Sequence, residues 1–377
     1  MRVLFIQKVK GLAGSENYFL ELIPSLLERG VKCEFVSVRQ PIDKQKPLLF
    51  NEKLESYGVH VHDVIIDSVL SLSFLRKLKG IISKGGFDIV HSHLIHADFW
   101  CALVKFIFRI DYRLVSTKHG YSEQFMEKYG FDTSIPIKDS YYWICKFSEK
   151  YIDKSFAVSE GLKQLFVDLS ISTPSKIEVI HHGFNFLKKS EANHNFRFSD
   201  HQLLIVGRLL SLKGHKLLFD ALLIIKDHYP DVILVVVGGG EMREELEEYV
   251  KTIGIAEHVI FRGFQEDIYS YQVSSDIQVV ASMAEGFGLV LVEAFNAKVA
   301  TIAFDVPACN EVIEHNKTGV LVAPYDTSAM ASEIISLLDD DKQRSMLVTN
   351  AYQRLKSYFS RERMVNQTLN FYRSVLN

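Results

Sequence analysis

The chain has 377 residues, 47% of them apolar and 24% charged, with a net charge of −3. That length calls for two domains, each able to bury a core without staples, and the composition excludes intrinsic disorder and fibrous architectures. The charge speaks against non-specific nucleic-acid binding, which runs on excess Lys and Arg, although residues 1–185 carry +3 and the remainder −6.

In chain order, short apolar runs predict strands at Arg2–Ile6, Cys33–Val38, His60–Ile65, Asp88–His91, Arg113–Thr117, Ser155–Val158 and Ile177–Ile180. Helix-period segments such as Ser15–Glu28, Ser73–Ser83 and Ala97–Phe108 lie between them. Runs apolar on both faces, alternating with helices, predict a doubly wound parallel sheet. Residues 186–200 lose this period and read as a linker. The alternation restarts with His201–Val206, Val232–Val237, Val259–Phe261, Ile277–Val280 and Ala300–Ala303, which predicts a second sheet of the same kind. The organisation expected is therefore an α/β domain over 1–185, a linker over 186–200 and a second α/β domain over 201–360, with their loops facing a cleft. The tail 361–377 has apolar residues at Val365, Leu369, Tyr372 and Leu376, an amphipathic helix that either crosses back to the first domain or caps the second.

Cys33, Cys101, Cys145 and Cys309 include no C-x-x-C pair, so buried reduced thiols of a cytoplasmic protein are expected rather than a metal or disulfide scaffold. The start offers only the four-residue run Val3–Ile6, too short for a signal peptide, and no stretch is long enough to span a membrane. Any membrane contact is expected to be peripheral, at the inner face. The aromatic and basic stretches 105–113 and 140–147 fit either such a surface or an amphipathic core helix.

The most informative segment is Ala284–Phe295, AEGFGLVLVEAF, which follows a predicted strand, turns at Gly286 and Gly288, and then starts a helix. Such a junction offers backbone N–H groups and a positive dipole end to an anion. Glu293 interrupts an apolar stretch, and a buried carboxylate needs cationic or hydroxyl partners, such as the paired hydroxyls of a ribose. Glu285 and Glu293 do not suit a hydrolase: eight helical positions span about 12 Å, beyond the ~5–9.5 Å of glycosidase carboxylates. In Val206–Gly214, Arg208 and Lys213 stand at a strand end before a helix mouth, a diphosphate clamp or two solvated cations. The triple glycine Gly238–Gly240 fails the dinucleotide fingerprint because Arg243 takes the third glycine's place. Gly11–Glu16 joins the first strand to the first helix, either as a close approach to phosphate or sugar or as a plain turn. His91, His93 and His96 suggest satisfied strand-end histidines more than metal ligands, while His119 stands past a strand at the predicted cleft edge.

In order and spacing, these segments resemble the retaining glycosyltransferases of family 4. The motifs are EGFGL followed by Glu293, Gly207-Arg208 with Lys213, the Val236–Gly240 turn, Phe261-Arg262-Gly263, and Pro307–Glu311 with Thr318-Gly319. Weaker matches in the first half are Ala13–Glu16, Lys118–Gly120 and Ala157–Glu160. The sequence departs from the family at His182-Gly183, where the family has Asn-Gly, at Ala308–Glu311, where paired glycines precede Pro-Glu, and at Ala13-Gly14. The resemblance implies a GT-B fold and transfer of a sugar from a nucleoside-diphosphate donor, UDP-linked in preference to GDP-linked, to a glycan or lipid-linked hydroxyl with retention. It implies that Arg208 and Lys213 hold the diphosphate and Glu293 the ribose. Glu285 would lie against the donor sugar, and the amides of Phe287, Gly288 and Leu289 would cradle the sugar phosphate. Gly14 would approach the diphosphate from the first domain, and His119 would stand near donor and acceptor. No metal and no further cofactor is implied. A GT-B epimerase, a phosphorolytic enzyme and a silent nucleotide-binding scaffold fit the same features.

Overall fold

A computed structural model describes residues 1–9, 14–40, 49–68, 70–134, 138–185 and 194–377. The chain divides into two compact units. Met1–Ser122, Asp132–Asn185 and Ser360–Asn377 form the first, and Glu123–Phe131 with Phe186–Phe359 the second. Of the expected linker 186–200, residues 186–193 lie outside the described residues, as do Gly11–Ala13 of the first glycine turn.

The first unit holds seven parallel strands: β1 (Arg2–Lys8), β2 (Lys32–Arg39), β3 (His60–Ile65), β4 (Ile89–His93), β5 (Leu114–Lys118), β6 (Lys154–Ala157) and β7 (Ile177–Val179). Their order is β3-β2-β1-β4-β5-β6-β7. Alternate residues feed two cores, because successive side chains of a strand point to opposite faces. Val3, Phe5, Phe35, Ile89 and Phe156 pack under the helix Gly14–Glu28. Leu4, Ile6, Val36, Val90 and Leu114 pack under the helices Leu72–Gly85 and Leu94–Phe108.

The last helix, Arg361–Leu376, belongs to this first unit. Met364, Val365, Leu369, Phe371, Tyr372 and Val375 enter the same cluster as Phe5 and Phe19. Leu376, expected on that apolar face, is instead exposed at the helix end. The returning chain runs beside the outgoing one: the Arg361 N–H donates to the Phe184 carbonyl at 2.9 Å. A Cβ on Gly183 would lie 2.4 Å from the Ser360 carbonyl oxygen, so only glycine fits where the family's Asn-Gly has become His182-Gly183.

The second unit holds β8 (Gln202–Val206), β9 (Ile233–Val237), β10 (Val259–Gly263), β11 (Ile277–Val280), β12 (Ala300–Phe304) and β13 (Val320–Val322), ordered β10-β9-β8-β11-β12-β13 and parallel throughout. Every strand expected from the sequence is present with its ends within two residues, while β13, only three residues long, was not expected. In each sheet the order reverses beside the first strand, between β1 and β4 and between β8 and β11. Open α/β sheets bind ligands outside the strand carboxyl ends at such a point. Among the described residues, no helix is long and apolar enough to cross a membrane.

Candidate active site

At the reversal point of the second unit, two loops meet. One follows β8 and carries Arg208 and Lys213; the other follows β11 and carries Glu285 to Gly288. They are knitted by the Met283 N–H, which donates to the Leu212 carbonyl at 2.8 Å. Gly214 closes the first loop at φ 66°, and a Cβ there would stand 1.9 Å from the Ala281 carbonyl oxygen. Glycine is therefore required for this approach. The triple glycine also serves packing: the Leu209 N–H donates to the Gly239 carbonyl at 3.0 Å, and Gly207 to Val237 at 3.0 Å.

Lys213 Nζ lies 2.6 Å from Glu285 Oε1, and both side chains are largely buried, at 20% and 11% exposure. Arg208, two residues beyond β8, is 65% exposed and pairs with Glu123 at 2.7 Å. Glu123 was not anticipated, since it lies far off in sequence on the short helix Glu123–Tyr129. Phe287 is buried edge-on to Phe359 at 5.8 Å, which anchors the loop. Gly288 then precedes the helix Leu289–Ala297, whose first turn turns its N–H groups and positive dipole end toward this loop. Glu293 is half-buried on the same helix, between the buried Val292 and Ala294. Glu285 stands before the glycine turn, paired with Lys213, and Glu293 lies beyond it on the helix.

Burial first, and the Glu285 carboxylate next, push the Cys309 thiol of the segment 308–311 well above its usual range. Ala308 stands there at φ 73° and ψ −45°, where the family has glycine. An L-residue pays strain in that region.

The first unit gathers a different set at its strand carboxyl ends. His119, just past β5, lies 2.8 Å from His93 Nδ1 through its Nε2. Its ring stacks on His93 and His182 at centroid distances of 5.1 and 5.5 Å and meets Tyr18 edge-on. Burial holds the His119 imidazole down to about 3, and it pushes His91, His93 and His182 well below the ordinary range as well. His91 is satisfied on both sides, with the Tyr372 hydroxyl at 2.7 Å and Thr117 Oγ1 at 2.8 Å. It is a fully buried core residue. Gly14 is the half-buried first residue of its helix.

Beside His119 lies a cavity of about 260 Å³ lined in part by His96, Asp98, Lys118, Tyr121 and Tyr141. Lys118 Nζ lies 2.7 Å from Asp98 and 3.4 Å from Glu149. Ser92 donates to Asp98 at 2.5 Å and Ser172 to Glu149 at 2.7 Å. Burial opposes the lysine's charge, but the two carboxylates outweigh it and raise its proton affinity above the ordinary value. The sequence reading missed Asp98 and Glu149. A lone carboxylate inside the apolar helix Leu94–Phe108 was the available signal, by the same logic that singled out Glu293.

Residues 12–186 match the family model described as Glycosyltransferase Family 4, and residues 188–354 the one described as Glycosyl transferases group 1. The chain is 25% identical over 378 residues to the N-acetyl-alpha-D-glucosaminyl L-malate synthase of Bacillus anthracis, covering 97% of this chain and 95% of that protein. It is 29% identical over 200 residues to a Campylobacter jejuni N-acetylgalactosaminyltransferase whose name specifies a diphospho-undecaprenol acceptor, covering 52% and 54% of the two chains. The Anabaena protein HepE, solved with UDP-glucose, superposes with a TM-score of 0.78 at 20% identity, over 99% of this chain and all (100%) of that one. That likeness establishes a GT-B fold.

Proposed function

Since this chain belongs to glycosyltransferase family 4 and is a retaining glycosyltransferase, we propose that it moves a hexose from a UDP-sugar to a hydroxyl of a glycan or lipid-linked acceptor. The observation that carries this reading is the contact of Lys213 with Glu285 at the mouth of the helix Leu289–Ala297. In a nucleotide sugar the glycosyl carbon and the diphosphate are one bond apart. A cation and a carboxylate in contact suit those two neighbours, with Lys213 and Arg208 at the phosphates and Glu285 at the sugar hydroxyls. The amides of Phe287, Gly288 and Leu289 complete the cradle, and Glu293 takes the ribose hydroxyls. Gly14 approaches the diphosphate, and neutral His119 contributes hydrogen bonds and not charge.

In the transfer, the bond from the anomeric carbon to the phosphate oxygen breaks and its electron pair goes to the diphosphate. The acceptor oxygen bonds to the same face of that carbon, and its proton passes to a phosphate oxygen. Preorganised cations and N–H groups lower the barrier where this negative charge develops, by ~3–4 kcal/mol for a single well-placed donor. The acceptor's reacting sugar fits the 260 Å³ cavity of the first unit, where aromatic faces and a charged floor suit carbohydrate.

A lipid-linked acceptor is supported by the surface formed by the helices Leu94–Phe108 and Ser140–Glu149. Phe106, Ile107 and Trp143 are exposed there, the Phe106 ring packs on Phe147 and Tyr151, and Arg109 and Lys150 flank it in solvent. Such a mixture suits the inner face of an anionic membrane.

The decisive experiment assays transfer from UDP-hexoses, in solution and on anionic vesicles, with the wild type and with the double variant Arg208→Ala, Lys213→Ala. The variant should lose at least ~100-fold in kcat while keeping its circular dichroism spectrum. Near-normal turnover in that variant would falsify the assignment. Failure of the wild type to sediment with anionic vesicles at low salt would remove the membrane part alone.

A further inference from the structure

Away from the strand carboxyl ends, three ligand-type side chains converge at the amino-terminal rim of the first sheet. Among the described residues, Glu34, His60 and His62 form a group whose ligand atoms all lie within 4.8 Å of one another. We propose that these three residues form a divalent-cation site that takes zinc, separate from the transfer chemistry.

The backbone presets the arrangement. Glu34 of β2 and His60 of β3 are direct partners in the parallel register, and His62 follows His60 by two positions, hence on the same face. Farther along that face the same strands carry Val36, Val38 and Val64, all buried in an apolar core. Three polar side chains thus replace the apolar pattern where the face reaches solvent. His60 is exposed, so a hydrated ion can reach the group.

The chemistry fits one class of metal. Two imidazole nitrogens and one carboxylate oxygen suit zinc, whereas magnesium and calcium prefer oxygen alone. At ligand distances of ~2.0–2.1 Å, tetrahedral ligand atoms stand about 3.3 Å apart, and rotamer adjustment closes the gap from 4.8 Å. The imidazole rings of His60 and His62 already lie 4.4 Å apart. Glu34 Oε2 lies 2.9 Å from His62 Nε2, while Arg2 Nη2 holds Oε1 at 2.9 Å. Arg2 therefore aims the carboxylate and leaves the oxygen facing the histidines to the ion, with water in the fourth position.

Titration calorimetry of the full chain with zinc chloride tests the site, alongside thermal unfolding with and without a chelator. The expected result is one ion bound per chain and a rise in Tm that the chelator reverses. The variant His60→Ala, His62→Ala should lose both effects while keeping its sugar-transfer activity, and Glu34→Gln should weaken binding at least ~10-fold. In the cobalt-loaded chain, the visible absorption of a tetrahedral site should vanish with His62→Ala. Absence of binding by the wild type, or equal binding by the double-histidine variant, overturns the proposal.

Discussion

In the first unit the charged groups at the strand carboxyl ends are sunk into the core, with Lys118 and Asp98 at 7% and 6% exposure and four histidines held neutral beside them. In the second unit the cations stand on loops, with Arg208 mostly in solvent and Lys213 held by one carboxylate. Both sets stand at the carboxyl ends of their sheets' strands, Lys118 closing β5 and Arg208 following β8. The difference separates two tasks: a surface-reaching cation keeps its charge available to a diphosphate, whereas a buried network shapes a cavity and spends its charge internally. Mutations in the two places should therefore report on different quantities.

The largest effect on stability is expected at Asp98. Asp98→Ala leaves the Lys118 ammonium with Glu149 alone in a buried site, and breaking a buried pair costs about 3–5 kcal/mol. Urea unfolding should show this loss, whereas Arg208→Ala should shift stability by no more than about 1 kcal/mol because its pair is exposed. Equal losses at the two sites would erase the contrast.

Next comes acidity. His119 is held down to about 3, against an ordinary imidazole value of ~6.5, and His91, His93 and His182 are lowered with it. The unfolded chain takes up protons that the folded one refuses, so this stability is complete above about pH 6.5 and is lost as the pH falls toward the folded values. Each refused proton steepens the dependence by ~1.4 kcal/mol per pH unit. Unfolding titrations at about pH 7 and about pH 5 should show the decline, and a flat profile would mean that the histidines are not held neutral.

The smallest effect is expected at Ala308. Because its backbone lies at φ 73°, Ala308→Gly should relieve strain and raise stability by about 1 kcal/mol. A fall in Tm would show that the alanine methyl is worth more to its buried surroundings than the strain it causes.

Much of this architecture was legible because each element announces itself locally. β3 alternates His60, His62 with Val61 and then runs into Val64 and Ile65, β11 is a short run of β-branched residues around Gln278, and the ends of both agree with the sequence reading to the residue. Lys213, Glu285 and Glu293 stood out as charges beside glycine turns or within apolar stretches. What escaped depends on register and return paths. Asp98 meets Lys118 across 20 residues, and Arg208 meets Glu123 from another part of the chain. Glu34 faces His60 only once β2 and β3 are aligned. β13 escaped although its three residues match β7 in length, because Val320–Val322 follows directly on the Thr318-Gly319 motif and has no helix-period segment before it. The departure from glycine at Ala308 was visible in the sequence, but its cost appears only in the backbone angles.

The helix Arg361–Leu376 completes a unit that begins at Met1. On the ribosome, where amino-terminal segments ordinarily fold first, this order is disturbed. Phe156 and His91 of the earlier strands gain their partners Phe371 and Tyr372 only once that 16-residue helix has emerged. A chain cut short after Phe359 would carry a finished second unit joined to a first unit stripped of Met364, Val365, Phe371 and Tyr372 from its core.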